Sequence, residues 1–362
     1  MAGSLLLAAA LLAGFASQPG TAVEALIRDP EAPPPGAGDR PVEVVEEGDG
    51  YRVIRHVAGT TRVPARPVRV CALAAADELL AIGLKPVAHS INDGNFPDYL
   101  AEPLADVPWI PNVYGAHLPN MEAIIRVRPD LIITRTTHRQ TYLQLSKIAP
   151  VVVLLDHLVH YRQRLLDVGV IVGRPDEARA RLDWYNAKVR TANAVLHPIV
   201  GAKTMAMMRI GARSYRLHGD QNHVSPLLYG DLAMRRPDLV LHRTWSSTMS
   251  PEQLLKLDAD YLLLAVDSAT EAGRTYAELQ VHPVWTRVPA IRQGQFLVLS
   301  KYRHWADSGI LGRARSIDDV LQLVAPESLV EVNAALPRLP FDAVSAAAPA
   351  LAGPSPGDKR LP

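Results

Sequence analysis

Arginine and aromatic residues gather at four points of this chain, each just after a short apolar run. "LIIT" leads into "RTTH", with Arg135 and His138, and "TMAMM" leads into "RIGARSYRLHG", with Arg209, Arg213, Tyr215 and Arg216. "DLVLH" leads into "RTWSST", with Arg243 and Trp245, and "FLVLS" leads into "KYRHWADSG", with Lys301, Tyr302, Arg303, His304 and Trp305. A guanidinium fork holds carboxylates and other oxyanions through paired hydrogen bonds, and Trp or Tyr supplies a rigid apolar wall. That combination suits non-covalent capture of a bulky anionic or oxygen-rich ligand. For any single arginine, a solvated or salt-bridged role stands as the alternative; recurrence over several sites carries the argument. No G-x-S-x-G elbow, H-E-x-x-H, P-loop or G-x-G-x-x-G is present, so no catalytic residue is assigned and the chain reads as a non-enzyme. A hydrolase or oxidoreductase built from distant residues is the rival from another class, and turnover of a bound ligand would revive it. A direct metal-binding protein is a second rival, but His157 and His160 fall short of the three or four converging ligands such a site needs. No metal ligand and no resident cofactor are assigned.

The runs that carry these residues alternate with helical patterns, which indicates an α/β fold. "YRVIRHVAGTTRVP" reads as a hairpin turning at Ala58-Gly59. Strands are predicted at 68–73, 85–90, 131–134, 150–156, 203–210, 237–242, 261–264 and 295–300. In open α/β sheets ligands bind beyond the carboxyl ends of the strands, where the arginines and aromatics stand here. Residues 176–198 contain no glycine and form one long helix, its start favoured by Asp176 and Glu177 after Pro175. The plan is therefore two α/β lobes joined by one long helix, with a ligand cleft between them. Expected boundaries are 42–175 for the N-terminal lobe, 199–332 for the C-terminal lobe and 333–362 for a loose Ala/Pro-rich tail.

The two lobes share a phrase. "PNMEAIIRVRPDLIIT" (119–134) and "SPEQLLKLDADYLLL" (250–264) align without a gap, matching Asn120 to Ser250, Glu122 to Glu252 and Asp130 to Asp260. Asn and Ser are helix N-cap types, and a glutamate in the first turn is favoured by the helix dipole.

Bulk properties limit the rest. With 38 basic and 37 acidic residues the net charge is +1, which gives no nucleic-acid footprint. Cys71 is the sole cysteine, so intrachain disulfides and cysteine-based zinc sites are excluded; set within "VRVCAL", it is expected to be a buried, inert thiol. Residues 1–25 resemble a secretory signal without a basic n-region, and 26–41 read as a Pro/Gly-rich linker. Export to the periplasm or cell surface is expected. "LLAGF" resembles a lipoprotein box with Phe15 at the lipidated position, which leaves membrane anchoring open.

In "GTTRVPARPVRVCAL", "ELLAIGLKPV", "PNMEAIIRVRPDLII", "YLQLSKIAPVVVL", "LLYGDLAMRRPDLV", "SPEQLLKLDADYLLL", "HPVWTRVPAIRQGQFLVL" and "IDDVLQLV" the chain resembles the periplasmic siderophore-binding proteins of ABC importers. Vitamin B12 and haem binders belong to the same cluster, and the resemblance covers about residues 55–325. It implies two lobes bridged by a helix that resists hinge motion. It also implies a ferric siderophore as ligand, iron entering only within the chelate, and delivery by a monomer to a paired ABC permease. Glu122 and Glu252 match the glutamates that dock on permease arginines in the family. Arg135, Arg209, Arg213, Tyr215, Trp245, Arg303 and Trp305 match loop regions that contact siderophores. The clustered arginines favour an anionic or mixed chelate. A haem or cobalamin binder remains open, with Tyr215 or a cleft histidine as a possible axial ligand.

Overall fold

The computed structural model describes residues 42–91, 97–111, 119–135, 138–154, 160–240, 244–267, 269–299, 302–306 and 309–342. The signal-like segment, the linker, Arg243 and His157 lie outside these. The described chain opens with an antiparallel meander of β1 (Glu43–Gly48), β2 (Tyr51–His56) and β3 (Gly59–Pro64). The predicted hairpin is thus β2–β3, with Gly59 pairing with His56 at φ 125, a conformation that favours glycine.

A parallel sheet follows, built from β4 (Val70–Ala72), β5 (Ala88–His89), β6 (Leu131–Thr134) and β7 (Val151–Val153) in the order β5-β4-β6-β7. Its strands are buried on both faces, which is why they read as unbroken apolar runs. Cys71 is fully buried and burial pushes its thiol up to about 12, so it is inert at neutral pH. Helices α1 (Ala76–Ala81), α2 (Asp98–Ala101), α3 (Met121–Arg126), α4 (Arg139–Leu145) and α5 (Tyr161–Val172) belong to this lobe.

The long helix, α6 (Pro175–Val200), has 26 residues, which at ~1.5 Å each makes it about 39 Å long. Pro175 occupies its first turn, where a missing N–H costs nothing, and Asp176 and Glu177 follow.

The second sheet contains β8 (Met205–Gly211), β9 (Ser214–His218), β10 (Ser246–Met249), β11 (Tyr261–Val266) and β12 (Phe296–Leu299), in the order β10-β9-β8-β11-β12. Strands β8, β11 and β12 are parallel; β9 and β10 are antiparallel additions. Helices α7 (Thr270–Val281), α8 (Ile310–Val324) and α9 (Leu329–Ala334) complete the chain order.

Three expectations need correction. The strand predicted at 237–242 is a turn as far as residue 240, closed by the Val240 N–H on the Pro237 carbonyl; residues 241 and 242 lie outside the described set. Pro237 has no N–H to offer a ladder. Conversely, "SYRLH" and "SSTM" are strands although they were expected as loop. Each carries one buried apolar residue, Leu217 and Met249, so neither shows an apolar run. Residues 333–342, expected in the loose tail, pack back: Asp342 pairs with Arg181 of α6, and Phe341 lies against Gly83.

The shared phrase has a structural reason. In both lobes its first apolar residue of the pair, Ile124 or Leu254, is fully buried. In both, its aspartate ties the entry of the neighbouring strand. Asp130 accepts from the N–H groups of Val68 and Arg69 at 2.8 and 2.9 Å, and Asp260 accepts from the Thr204 N–H at 2.8 Å. Asn120 caps α3 by accepting from the Ala123 N–H at 3.0 Å. Ser250 and Gln253 cap each other at the second copy, which is a 3-10 turn over Glu252–Lys256 rather than an α-helix.

One continuous core joins the lobes: Leu79 of α1, Ile82 just after it, Leu165 of α5 and Tyr185 of α6 pack in the same cluster as Met205, Met207, Leu263 and Ile317. The outer face of each sheet has its own smaller core.

Candidate functional site

Alternation along β8 sorts its side chains. Ala206, Met208 and Ile210 enter the outer core, whereas Met205 and Met207 enter the core between the lobes. Arg209 follows the second set and so faces the inner side near the carboxyl end of β8. Its direct ladder partner on β9 is Arg216, which therefore lies on the same face. Tyr215 is one residue out of phase. It packs against the outer core, where burial and the nearby Glu278 raise its hydroxyl pKa.

Arg209 is held by Asp267, the residue after β11, through Nε to Oδ1 at 2.9 Å and Nη2 to Oδ2 at 3.0 Å. Tyr302 donates its hydroxyl to the same carboxylate, and the guanidinium groups of Arg209 and Arg303 sit 5.7 and 5.3 Å from its ring centre. Burial pushes the Asp267 carboxyl upward, but the hydrogen bonds from Arg209 and Tyr302 outweigh it and hold the group below its ordinary range. Burial, together with the bond to Asp267, pushes Tyr302 up to about 12. The site therefore carries a charged Arg209, an ionised Asp267 and a neutral Tyr302 at physiological pH.

Two histidines extend the group. His218, at the end of β9, feels both Arg209 and Arg216; burial first, then Arg209, lowers it to about 4, so it is neutral. His223 lies beside it and packs edge-on to Trp245, with ring centres 4.4 Å apart. Trp245 is half exposed, at 50%. Its carbonyl is fixed by the Gly219 N–H and the Asn222 amide, which seats the ring beside β9.

The N-terminal lobe closes on this group. Its helix α2 packs against the short turn Arg303–Trp305. Asp77 of α1 accepts from the N–H groups of Leu311 and Gly312, both at 3.1 Å, and so caps α8, whose own N-cap residue Gly309 has no side chain. Arg135, half-buried, stands at the carboxyl end of β6, and His138, exposed, precedes α4.

Of the residues expected to bind ligand, the structure thus brings together Arg209, Arg216, Trp245, Tyr302 and Arg303. It places Arg135 and His138 at the corresponding end of the other sheet. It packs Tyr215 against the outer core, and places Arg213, at φ 52, on the exposed β8–β9 turn. Trp305 is not a cleft wall: it is 4% exposed, and its indole N–H donates to Asp319 of α8 at 2.6 Å, an oxygen it shares with His304. Arg243 lies outside the described residues. Sequence reasoning missed Asp267, His218 and His223. Asp267 could have been found by the strand-end rule that found the arginines; the histidines required knowing that β9 is a strand.

Glu122 and Glu252 are both exposed. The Ser250 hydroxyl donates to Glu252 at 2.7 Å and lowers its pKa. Among the described residues no group of three or more His, Cys, Asp or Glu is placed to hold a metal ion, and no helix is long and apolar enough to cross a membrane.

The Fe(3+)-citrate-binding protein YfmC of Bacillus subtilis is 26% identical over 286 residues, spanning 77% of this chain and 87% of that protein. The achromobactin-binding periplasmic protein of Dickeya dadantii is 28% identical over 273 residues, 71% of this chain and 86% of that protein. Among solved structures, Staphylococcus aureus SirA complexed with staphyloferrin B superposes with a TM-score of 0.62 at 23% identity. It covers 75% of this chain and 97% of SirA, a likeness of fold. The family of periplasmic binding proteins matches residues 72–302, both lobes and the helix between them. The chain belongs to that family of substrate-binding proteins.

Proposed function

We propose that this protein captures a ferric chelate of the siderophore class outside the cytoplasmic membrane and hands it, as a monomer, to a paired ABC permease. The observation that carries this reading is the inner-face group of Arg209, Arg216, Trp245, Tyr302 and Arg303, set where the N-terminal lobe meets the second sheet. Guanidinium groups offer forks to the carboxylate or other oxyanion edges of a chelate, and the half-exposed Trp245 offers a flat wall. The metal is coordinated by the chelator, with this chain in the outer shell, so no cofactor is required and no bond is made or broken. The names of the relatives, binders of ferric citrate and achromobactin, support the same class. Arg135 and His138 would meet the ligand from the opposite lobe.

The exposed Glu122 and Glu252, one from each copy of the shared phrase, would present two like charges to a two-fold transporter surface. Reversing both, Glu122→Arg with Glu252→Arg, is expected to abolish uptake in cells while leaving ligand affinity unchanged; a loss of affinity would remove these residues from docking.

The reading is tested by tryptophan fluorescence against ferric siderophores, ferric citrate, haem, cobalamin and bare metal ions. Quenching by a ferric chelate is expected, and Trp245→Phe should remove most of it, since Trp305 is buried on Asp319. Binding of bare metal or haem without any response to ferric chelates would overturn it.

A further inference from the structure

Arg209 and Arg216 are direct partners across the β8–β9 ladder, and like charges opposed in an antiparallel pair repel. Asp267 relieves that repulsion by binding Arg209 through both carboxylate oxygens. The pair is not sealed: the Arg209 side chain is 34% exposed and that of Asp267 21%. A ligand seated on this inner face therefore meets a neutral Arg209–Asp267 pair whose carboxylate is partly exposed and braced by the Tyr302 hydroxyl. The positive charge that Asp267 does not balance belongs to Arg216, the ladder partner of Arg209, and to Arg303, which lies over the Tyr302 ring.

We infer that Asp267 sets the chemical class of the ligand: the chelate's carboxylates lie against Arg216 and Arg303, and an N–H donor of the chelate lies against Asp267. The crevice then selects chelates that carry both carboxylates and hydrogen-bond donors over chelates that present oxyanions alone. This rests on the reading that a ferric chelate occupies the crevice.

The test compares two probes by fluorescence titration. Ferric citrate presents carboxylate and alkoxide oxygens only, and ferric ethylenediamine-disuccinate presents carboxylates together with amine N–H groups. The native chain should bind the amine-bearing probe at least about tenfold more tightly. In Asp267→Asn, which keeps the shape and removes the charge, ferric citrate should tighten by about tenfold and the amine-bearing probe should weaken. In Arg209→Gln with Asp267→Asn, neutral again at this position, ferric citrate should return to its native weakness. Asp267→Glu keeps the charge and should keep the native preference, which leaves the inference testable if Asp267→Asn fails to fold. An equal loss for both probes in Asp267→Asn, or an unchanged preference, overturns the inference. Binding of no ferric chelate by the native chain overturns the functional reading, and the inference with it.

Discussion

Arg209 and Tyr215 stand six residues apart on one hairpin, and the period-2 alternation of strands decides that only the first faces the inner side of the sheet. Arg209→Gln is expected to weaken chelate binding about tenfold or more, while Tyr215→Phe leaves it unchanged; calorimetric titration distinguishes them. Equal losses would place the ligand elsewhere. His218 gives a second residue-scale prediction. Its pKa in the fold, about 4, lies below the unfolded value of about 6.5. The unfolded chain therefore binds more protons than the folded one between these values, and this contribution to stability is lost as pH falls through the window. His218→Gln should flatten the acid branch of stability by up to about 3 kcal/mol between pH 7 and 4, measured by urea unfolding at stepped pH. Parallel profiles for the two proteins would contradict this. The arginines were legible in the sequence because each follows an apolar run. Their directions were not, because alternation assigns faces only once a segment is known to be a strand. Trp305 shows the same limit: its partner, Asp319, lies fourteen residues on in another element.

At the scale of elements, the parallel strands were legible because burial on both faces makes them unbroken apolar runs, as in Leu131–Thr134 and Tyr261–Val266. The antiparallel β9 and β10 were not, since Leu217 and Met249 are their single buried apolar residues. Long-range caps were equally hidden. Arg52 of β2, almost fully buried, donates to the Val170 and Ile171 carbonyls and so closes the carboxyl end of α5, more than a hundred residues away. Both carbonyls belong to the last turn of α5, where helix carbonyls lack i+4 partners, and Val170 accepts in addition only a long 3.4 Å bond from the Gly173 N–H. Arg52→Met is expected to destabilise the protein by about 2 kcal/mol, read as a shift of the urea midpoint without a change of slope. An unchanged midpoint would show that water serves these carbonyls equally well. Gly173, at φ 70, ends α5 beside this cap; a side chain there would meet the Arg52 guanidinium at 3.1 Å.

For the molecule as a whole, the lobes are joined by more than α6. Asp77 of the N-terminal lobe caps α8 of the other lobe, and its carboxylate is held within its own lobe by the Tyr99 hydroxyl at 2.5 Å, beside the Arg164–Glu78 pair at 3.0 Å. Asp231 receives the hydroxyls of Tyr161 and Tyr185 and pairs with Arg162 at 2.8 Å, joining α5 and α6 to the segment that follows β9. Gly309 lets Asp77 and Glu78 approach, since a methyl group there would lie 2.7 Å from the Glu78 carboxylate. Asp77→Ala is expected to cost about 1–3 kcal/mol of stability, because it strips the cap from α8 within a buried contact. Gly309→Ala should also weaken chelate binding by changing the spacing of the lobes; native affinity in a folded Gly309→Ala protein would separate lobe spacing from binding. The central claim is that a ferric chelate sits between the facing strand ends. Anomalous X-ray scattering at the iron edge, on crystals grown with a ferric chelate, locates the metal directly. The account predicts one iron peak in the crevice among Arg209, Trp245, Tyr302 and Arg303, with Arg135 on the opposite side. A peak instead in the surface cavity lined by Arg52, Arg66, Asp176 and Phe341, or on the outer face beside Tyr215, would contradict it.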